Sequence, residues 1–100
     1  MMAQVYTEFI VEEGYDYTQF YLYIPEKELL IWEDGDVHVE KNESQKSMEL
    51  YGRKLVGKTN VSEEFVTMLE EYENLTELHS SAIDDYLGSF KQEFVKEKAK

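Results

Sequence analysis

The sequence predicts an α+β fold: an antiparallel sheet of four to five strands across residues 4–56, then two C-terminal helices, near 62–74 and 77–97, packed on one face. Three observations lead there. Short β-branched and aromatic runs are broken by turn residues through the first half, and two apolar stripes of helical period fill the second. The strands follow one another through short turns, which pairs neighbours antiparallel, and such a sheet commonly turns one face to a core that helices cover.

The first strand is Val5–Val11, rich in β-branched and aromatic residues and ended by Glu12-Glu13-Gly14. Tyr17–Ile24 is the second, closed by Pro25. Alternation sends Phe20, Leu22 and Ile24 to the core face and Tyr17, Tyr21 and Tyr23 to the other, a tyrosine ladder expected to be half exposed. The third strand, Glu28–Glu33, and the fourth, Asp36–Lys41, flank Asp34-Gly35, a pair suited to a two-residue hairpin turn. After a polar loop at Asn42–Lys46, residues Met48–Val56 fit either period. A fifth strand bulged at Gly52 is preferred to a short helix carrying Met48, Tyr51 and Leu55 on one side.

Ser62 is the expected cap of the first long helix, with Glu63 and Glu64 at the positive end of its dipole and Val61 and Val66 spaced as a hydrophobic staple. Phe65, Met68, Leu69 and Tyr72 form its apolar stripe, and it ends near Asn74. The second starts at Thr76 or at Ser80-Ser81, where Ser81 and Asp84 resemble a capping box. It turns Ile83, Tyr86, Leu87, Phe90 and Phe94 inward, and Gly88 within it marks a close packing contact.

A chain of 100 residues, 42% hydrophobic and 14% aromatic, is read as one domain over 1–100 with enough apolar content for a core. Without cysteine it has no disulfide, thiolate metal site or cysteine nucleophile. No run reaches the roughly 18 apolar residues of a membrane span, and no basic, apolar leader opens the chain, so the expected compartment is the cytoplasm of its own cell or of a host. Charge says most about function. Twenty-two acidic against 10 basic side chains leave a net −12, beyond the magnitude of about 2 to 8 that solubility calls for. Such a surface repels nucleic acid and anionic lipid and draws in basic proteins. Residues 1–26 and 59–90 contain neither Lys nor Arg.

Within the helical half, Glu63, Glu70 and Glu77 recur every seven residues, as do Glu64 and Glu71, so each set lines one side of a helix. Like charges in rows repel by a few tenths of about 1 kcal/mol per close pair. A row kept against that repulsion is a candidate partner surface: Glu63, Glu64, Glu70, Glu71, Glu73, Glu77, Asp84 and Asp85, with Tyr21, Tyr23 and Trp32 as aromatic anchors.

Two further constellations resemble chemical sites. Gly52–Thr59 fits the phosphate-loop pattern, in which Gly52 and Gly57 would free backbone N–H groups to wrap phosphate, Lys58 would reach it and Thr59 would hold magnesium. Its context argues for a structural hinge between sheet and helices, because the best helix cap is Ser62 and no parallel strand precedes the loop. Asp34, Asp36, His38 and Glu40 alternate and so share a face, the minimal requirement for a divalent metal, but they lack a second histidine and the oxygen spacing of a calcium loop. His79 is read as a surface or capping residue. No nucleophile elbow or zinc-protease motif occurs.

The expected function is therefore non-enzymatic and needs no cofactor: an acidic binding protein that inhibits or neutralises a basic, nucleic-acid-handling protein, without direct contact to nucleic acid or membrane. In size and charge the chain resembles two kinds of protein, the small acidic anti-defence inhibitors of phages and mobile elements, some of them DNA mimics, and the immunity proteins of nuclease toxins. The alternatives are a small nucleotide-binding protein using Gly52–Thr59 and an acidic structural or oligomer-forming subunit, such as a homodimer.

Overall fold

Phe20, Tyr21, Leu22, Tyr23 and Ile24 are buried without a break. Successive strand residues point to opposite faces, so both sides of this strand must be covered. The computed structural model, which describes residues 1–71 and 80–98, shows how. Strands β1 (Met2–Glu12), β2 (Tyr15–Ile24), β3 (Leu29–Glu33) and β4 (Val37–Glu40) form an antiparallel meander. Helix α1 (Gln45–Leu50) follows, then β5 (Lys54–Asn60), α2 (Glu63–Glu71) and α3 (Ser80–Lys98). The sheet order is β4-β3-β2-β1-β5, so the fifth strand leaves the meander and pairs antiparallel with the first.

Ala3 and Val5 of β1, with Phe20, Leu22, Ile24, Leu29 and Ile31, face α2 and α3. Phe65, Val66 and Leu69 enter this core from α2 and Ile83 and Leu87 from α3, while Tyr86, Phe90 and Phe94 pack at its margin. The expected inward faces of both long helices are thus present among the described residues. Ser62 caps α2, its Oγ accepting from the Phe65 amide at 3.1 Å, with Val61 and Val66 both buried beside it. Tyr72, Asn74, Thr76 and His79, and the side chain of Ser81, lie outside what the structure describes.

The opposite face differs from the expected half-exposed ladder. Tyr6, Tyr21, Tyr23 and Leu30 form a second cluster closed by Met48 of α1, with Trp32 against its edge. Each phenol of this cluster has an acceptor: Tyr21 donates to Glu8 Oε1 at 2.8 Å, Tyr23 to the Glu43 carbonyl at 2.6 Å and Tyr6 to Gln4 Oε1 at 2.9 Å. Satisfied hydroxyls let tyrosine serve as core here.

Residues Met48–Tyr51 are helix and its cap, not the preferred fifth strand. Ser44 Oγ accepts from the Ser47 amide at 3.2 Å to start α1, and Gly52 at φ +71° ends it, a left-handed position that favours glycine. The strand comes later, at Lys54–Asn60. The Asp34-Gly35 hairpin is present with Gly35 at φ +106°, but Glu33 pairs with Val37, so the connection has three residues, Asp34, Gly35 and Asp36, rather than two.

Gly88 does not mark a close contact, since a Cβ there would meet nothing within 4 Å. Gly57 does, because a Cβ on it would overlap the ring of Phe90, whose Cζ would lie 3.0 Å away. Substituting alanine should therefore act in opposite directions. Gly57→Ala is expected to cost about 1–3 kcal/mol by overpacking, whereas Gly88→Ala should add about 0.5–1 kcal/mol of helix stability. Urea melts of both variants check this, and equal shifts would contradict the seating of Phe90 on β5.

Candidate functional site

The acidic row is where the helical pattern puts it. Glu63, Glu64, Glu70 and Glu71 on α2, and Asp84 and Asp85 on α3, are all exposed, because Phe65, Val66, Leu69, Ile83 and Leu87 occupy the inward positions of the same helices. Two of these acids are compensated. Glu70 Oε1 lies 3.7 Å from Lys27 Nζ while its carbonyl accepts from Lys41 Nζ at 2.9 Å, and Asp84 pairs with Lys91 at 2.9 Å. Glu63, Glu64, Glu71 and Asp85 make no ion pair among the described residues. Glu73 and Glu77 lie outside the described residues.

Tyr21 and Tyr23 cannot be partner anchors, being 5% and 1% exposed. They are frame. The Arg53 guanidinium sits 4.5 Å above the Tyr21 ring and reaches Glu8 Oε1 at 3.4 Å, tying the start of β5 to the tyrosine face. Burial, then the hydrogen bond to Glu8, pushes the Tyr21 phenol up to about 12. Trp32 is half buried and stacks on His38, ring centroids 5.0 Å apart.

Another aromatic pair, with Tyr15 exposed and Tyr17 half exposed, lies elsewhere. Tyr15 and Tyr17 stack with centroids 5.7 Å apart at the start of β2, and Tyr17 donates to Glu12 Oε1 at 3.3 Å. The hydrogen bond and charge of Glu12 raise the Tyr15 phenol, while partial desolvation, then Glu12, Asp34 and Glu8, raise that of Tyr17. In an antiparallel meander the β1–β2 and β3–β4 turns share one end of the sheet, and Gln19 Nε2 bonds the Glu33 carbonyl at 2.9 Å between them. Glu12, Glu33 and Asp34 thereby come beside the tyrosines and the shallow groove of about 410 Å³ that Lys91 borders, with Glu13 and Asp36 in the two turns, while Asp16 takes the opposite face with Val11. The sequence signal was present in the period-two pair Tyr15 and Tyr17 beside an acidic turn. What brings the second acidic turn next to the first is the meander.

The phosphate-loop pattern is divided among three structural uses. Gly52 ends α1, Arg53 packs on Tyr21, and Gly57 admits Phe90. Lys58 and Thr59 are strand residues of β5 opposite Gln4 and Ala3. The segment is thus an edge strand and not the expected hinge, and no helix follows Thr59 directly, since α2 begins at Glu63. A phosphate cradle needs consecutive free N–H groups at a helix start, which a paired strand does not offer.

Of the expected metal group, His38 Nε2 and Asp34 Oδ1 bind each other at 2.6 Å, and the His38 hydrogen bond holds the Asp34 carboxyl below its usual range. Burial, then a hydrogen bond with Glu43, raises Glu40. Among the described residues no three carboxylate or histidine side chains converge as a metal site would require. No family model, curated protein or solved structure matches this chain.

Two outcomes follow from this geometry. Magnesium-ATP titrated into wild type and Lys58→Ala should give the same negligible heat, and saturable binding lost in the variant would restore the phosphate-loop reading. For Tyr21, the unfolded phenol releases its proton near pH 10 while the folded one holds it to about 12. Stability contributed below pH 10 is therefore lost as pH rises through that window. Chemical melts between pH 10 and 12 should fall less steeply in Tyr21→Phe, and an unchanged slope would contradict the buried hydrogen-bonded phenol.

Proposed function

We propose that this protein is a non-enzymatic acidic inhibitor or antidote that captures a basic, nucleic-acid-handling protein. One observation carries the reading: exposed carboxylates without compensating cations stand on α2 and α3 and again around the only stacked pair of exposed or half-exposed tyrosines among the described residues. The two surfaces suit different parts of one binding event. Glu63, Glu64, Glu71 and Asp85 supply long-range attraction, which acts mainly on the association rate. Tyr15 and Tyr17, with Glu12 beside them, supply the aromatic contact area and a directed acceptor that slow dissociation.

The acids of α2 can stand in for phosphates, which duplex DNA presents at about one charge per 1.7 Å of axis. A nucleic-acid mimic in the manner of phage anti-defence inhibitors and an immunity protein against a nuclease toxin both use this chemistry. A cytoplasmic site of action, in its own cell or a host, suits both.

The test is capture and then kinetics. Partners from lysate are eluted with a salt gradient, identified by mass, and the purified partner is measured against variants. Glu64→Lys with Glu71→Lys should lower the association rate about tenfold at low salt and leave dissociation nearly unchanged. Tyr15→Ala should do the reverse, speeding dissociation about tenfold. A partner that is itself acidic, or rates indifferent to both salt and the α2 reversals, would contradict the proposal. The second reading, an oligomer-forming acidic subunit, draws on exposed Leu50 and Tyr51. Light scattering separates it, since a strict monomer excludes a subunit that assembles with itself.

A further inference from the structure

β1 is longer than the strand beside it. Its pairing with β2 runs to Glu12, whereas its pairing with β5 ends where Thr7 meets Lys54. From Glu8 to Glu12 one side of β1 is an open sheet edge, and among the described residues no backbone hydrogen bond outside the sheet reaches it. Open edges are templates for another strand, and proteins usually blunt them with lysine, proline or a bulge. β5 follows that rule with Lys54 and Lys58. The stretch Glu8–Glu12 does not, since it carries neither lysine nor proline and its one bulge lies earlier, between Val5 and Tyr6.

The two faces of this edge differ. Phe9 and Val11, at 60% and 70% exposed, share the face that α3 covers farther along the sheet. Glu8, Ile10 and Glu12 share the other, and Glu13 and Asp16 surround the tip. Charge runs along the edge as well: Arg53 neutralises Glu8 at the inner end and Lys54 stands beside it, while the outer end holds acids alone among residues 11–16.

We propose that the Glu8–Glu12 edge of β1 is a strand-docking site for an extended segment of a basic partner, one that alternates apolar residues with Lys or Arg. Backbone pairing supplies affinity, Phe9 and Val11 take the apolar side chains on one face, and Glu12 on the other, with Glu13 in the turn, takes the cations nearest the hairpin tip. This rests on the basic-partner reading above and assigns the partner's mode of attachment beside Tyr15 and Tyr17.

The probe is a short fluorescein-labelled peptide alternating valine and lysine, followed by anisotropy at physiological salt. Wild type should bind it, with amide shifts centred on residues 8–12. Phe9→Lys and Val11→Lys should each weaken it about tenfold or more, while Met2→Lys, the same change of charge at the exposed far end of β1, should change it less than about twofold. A peptide N-methylated on its pairing amides keeps its side chains and charge, and it should lose binding. If the N-methylated peptide binds equally, strand pairing is wrong and the basic-partner reading stands. If a valine-glutamate peptide binds equally, both are wrong. A dimer of the free protein that Phe9→Lys splits would give the edge to a second copy and overturn the proposal. Failure of the valine-lysine peptide to bind would overturn it too.

Discussion

The two-sided burial of Phe20–Ile24 is the constraint on which the other elements depend. A strand apolar on alternate residues needs one cover, but one that is aromatic or aliphatic at every position needs two. The chain supplies α2 and α3 for Phe20, Leu22 and Ile24, and supplies α1 with Met48 for Tyr21 and Tyr23. The second cover explains the topology. To lay α1 across the tyrosine face the chain must travel from the β4 edge to the β1 edge, and β5 is where it arrives. Arg53 then fastens the arrival by stacking on Tyr21 and pairing with Glu8.

Committing the apolar residues of the strand half to two clusters leaves charge outside. Among the described residues the buried set contains no charged side chain, so their acids stay at or near the surface. Lys27, Lys41 and Lys91 stand against some of them. Of the others, one group lies on α2 and α3 and another at the hairpin end, where the meander joins two acidic turns around Tyr15 and Tyr17, while Glu26, Glu28 and Glu49 stand apart from both. The proposed function draws on the same geometry, since a sheet end holding one exposed and one half-exposed tyrosine among acceptors suits a cationic partner.

Much of this is legible before any coordinates, for physical reasons. Alternation in β2, the Asp34-Gly35 turn and the stripe of α2 are local signals, and each element stands where its pattern predicts. What failed was non-local. Tyr21 and Tyr23 read as half exposed because alternation says which face a residue takes, not whether that face is covered. Met48 read ambiguously because a single helical turn and a short strand share the same apolar residues, and Ser44 with Gly52 was the cue that decides it. The two glycines of the phosphate-loop pattern are a helix stop and a seat for Phe90, and only the tertiary contact reveals the second. Of the site, the acids of α2 were legible as a heptad row. The pairing of two distant turns around Tyr15 and Tyr17 was not.

Native-state hydrogen exchange reads the central claim most directly, because it reports the doubly covered strand and the open edge in one experiment. Amides paired in Phe20–Ile24 should exchange only through global unfolding, with one common free energy equal to that from chemical melts. The edge-facing amides of Glu8–Glu12 should exchange orders of magnitude faster. If Tyr21 and Tyr23 exchange as fast as that edge, the tyrosine face is not covered by α1. The frame that presents the acidic surface would then be wrong.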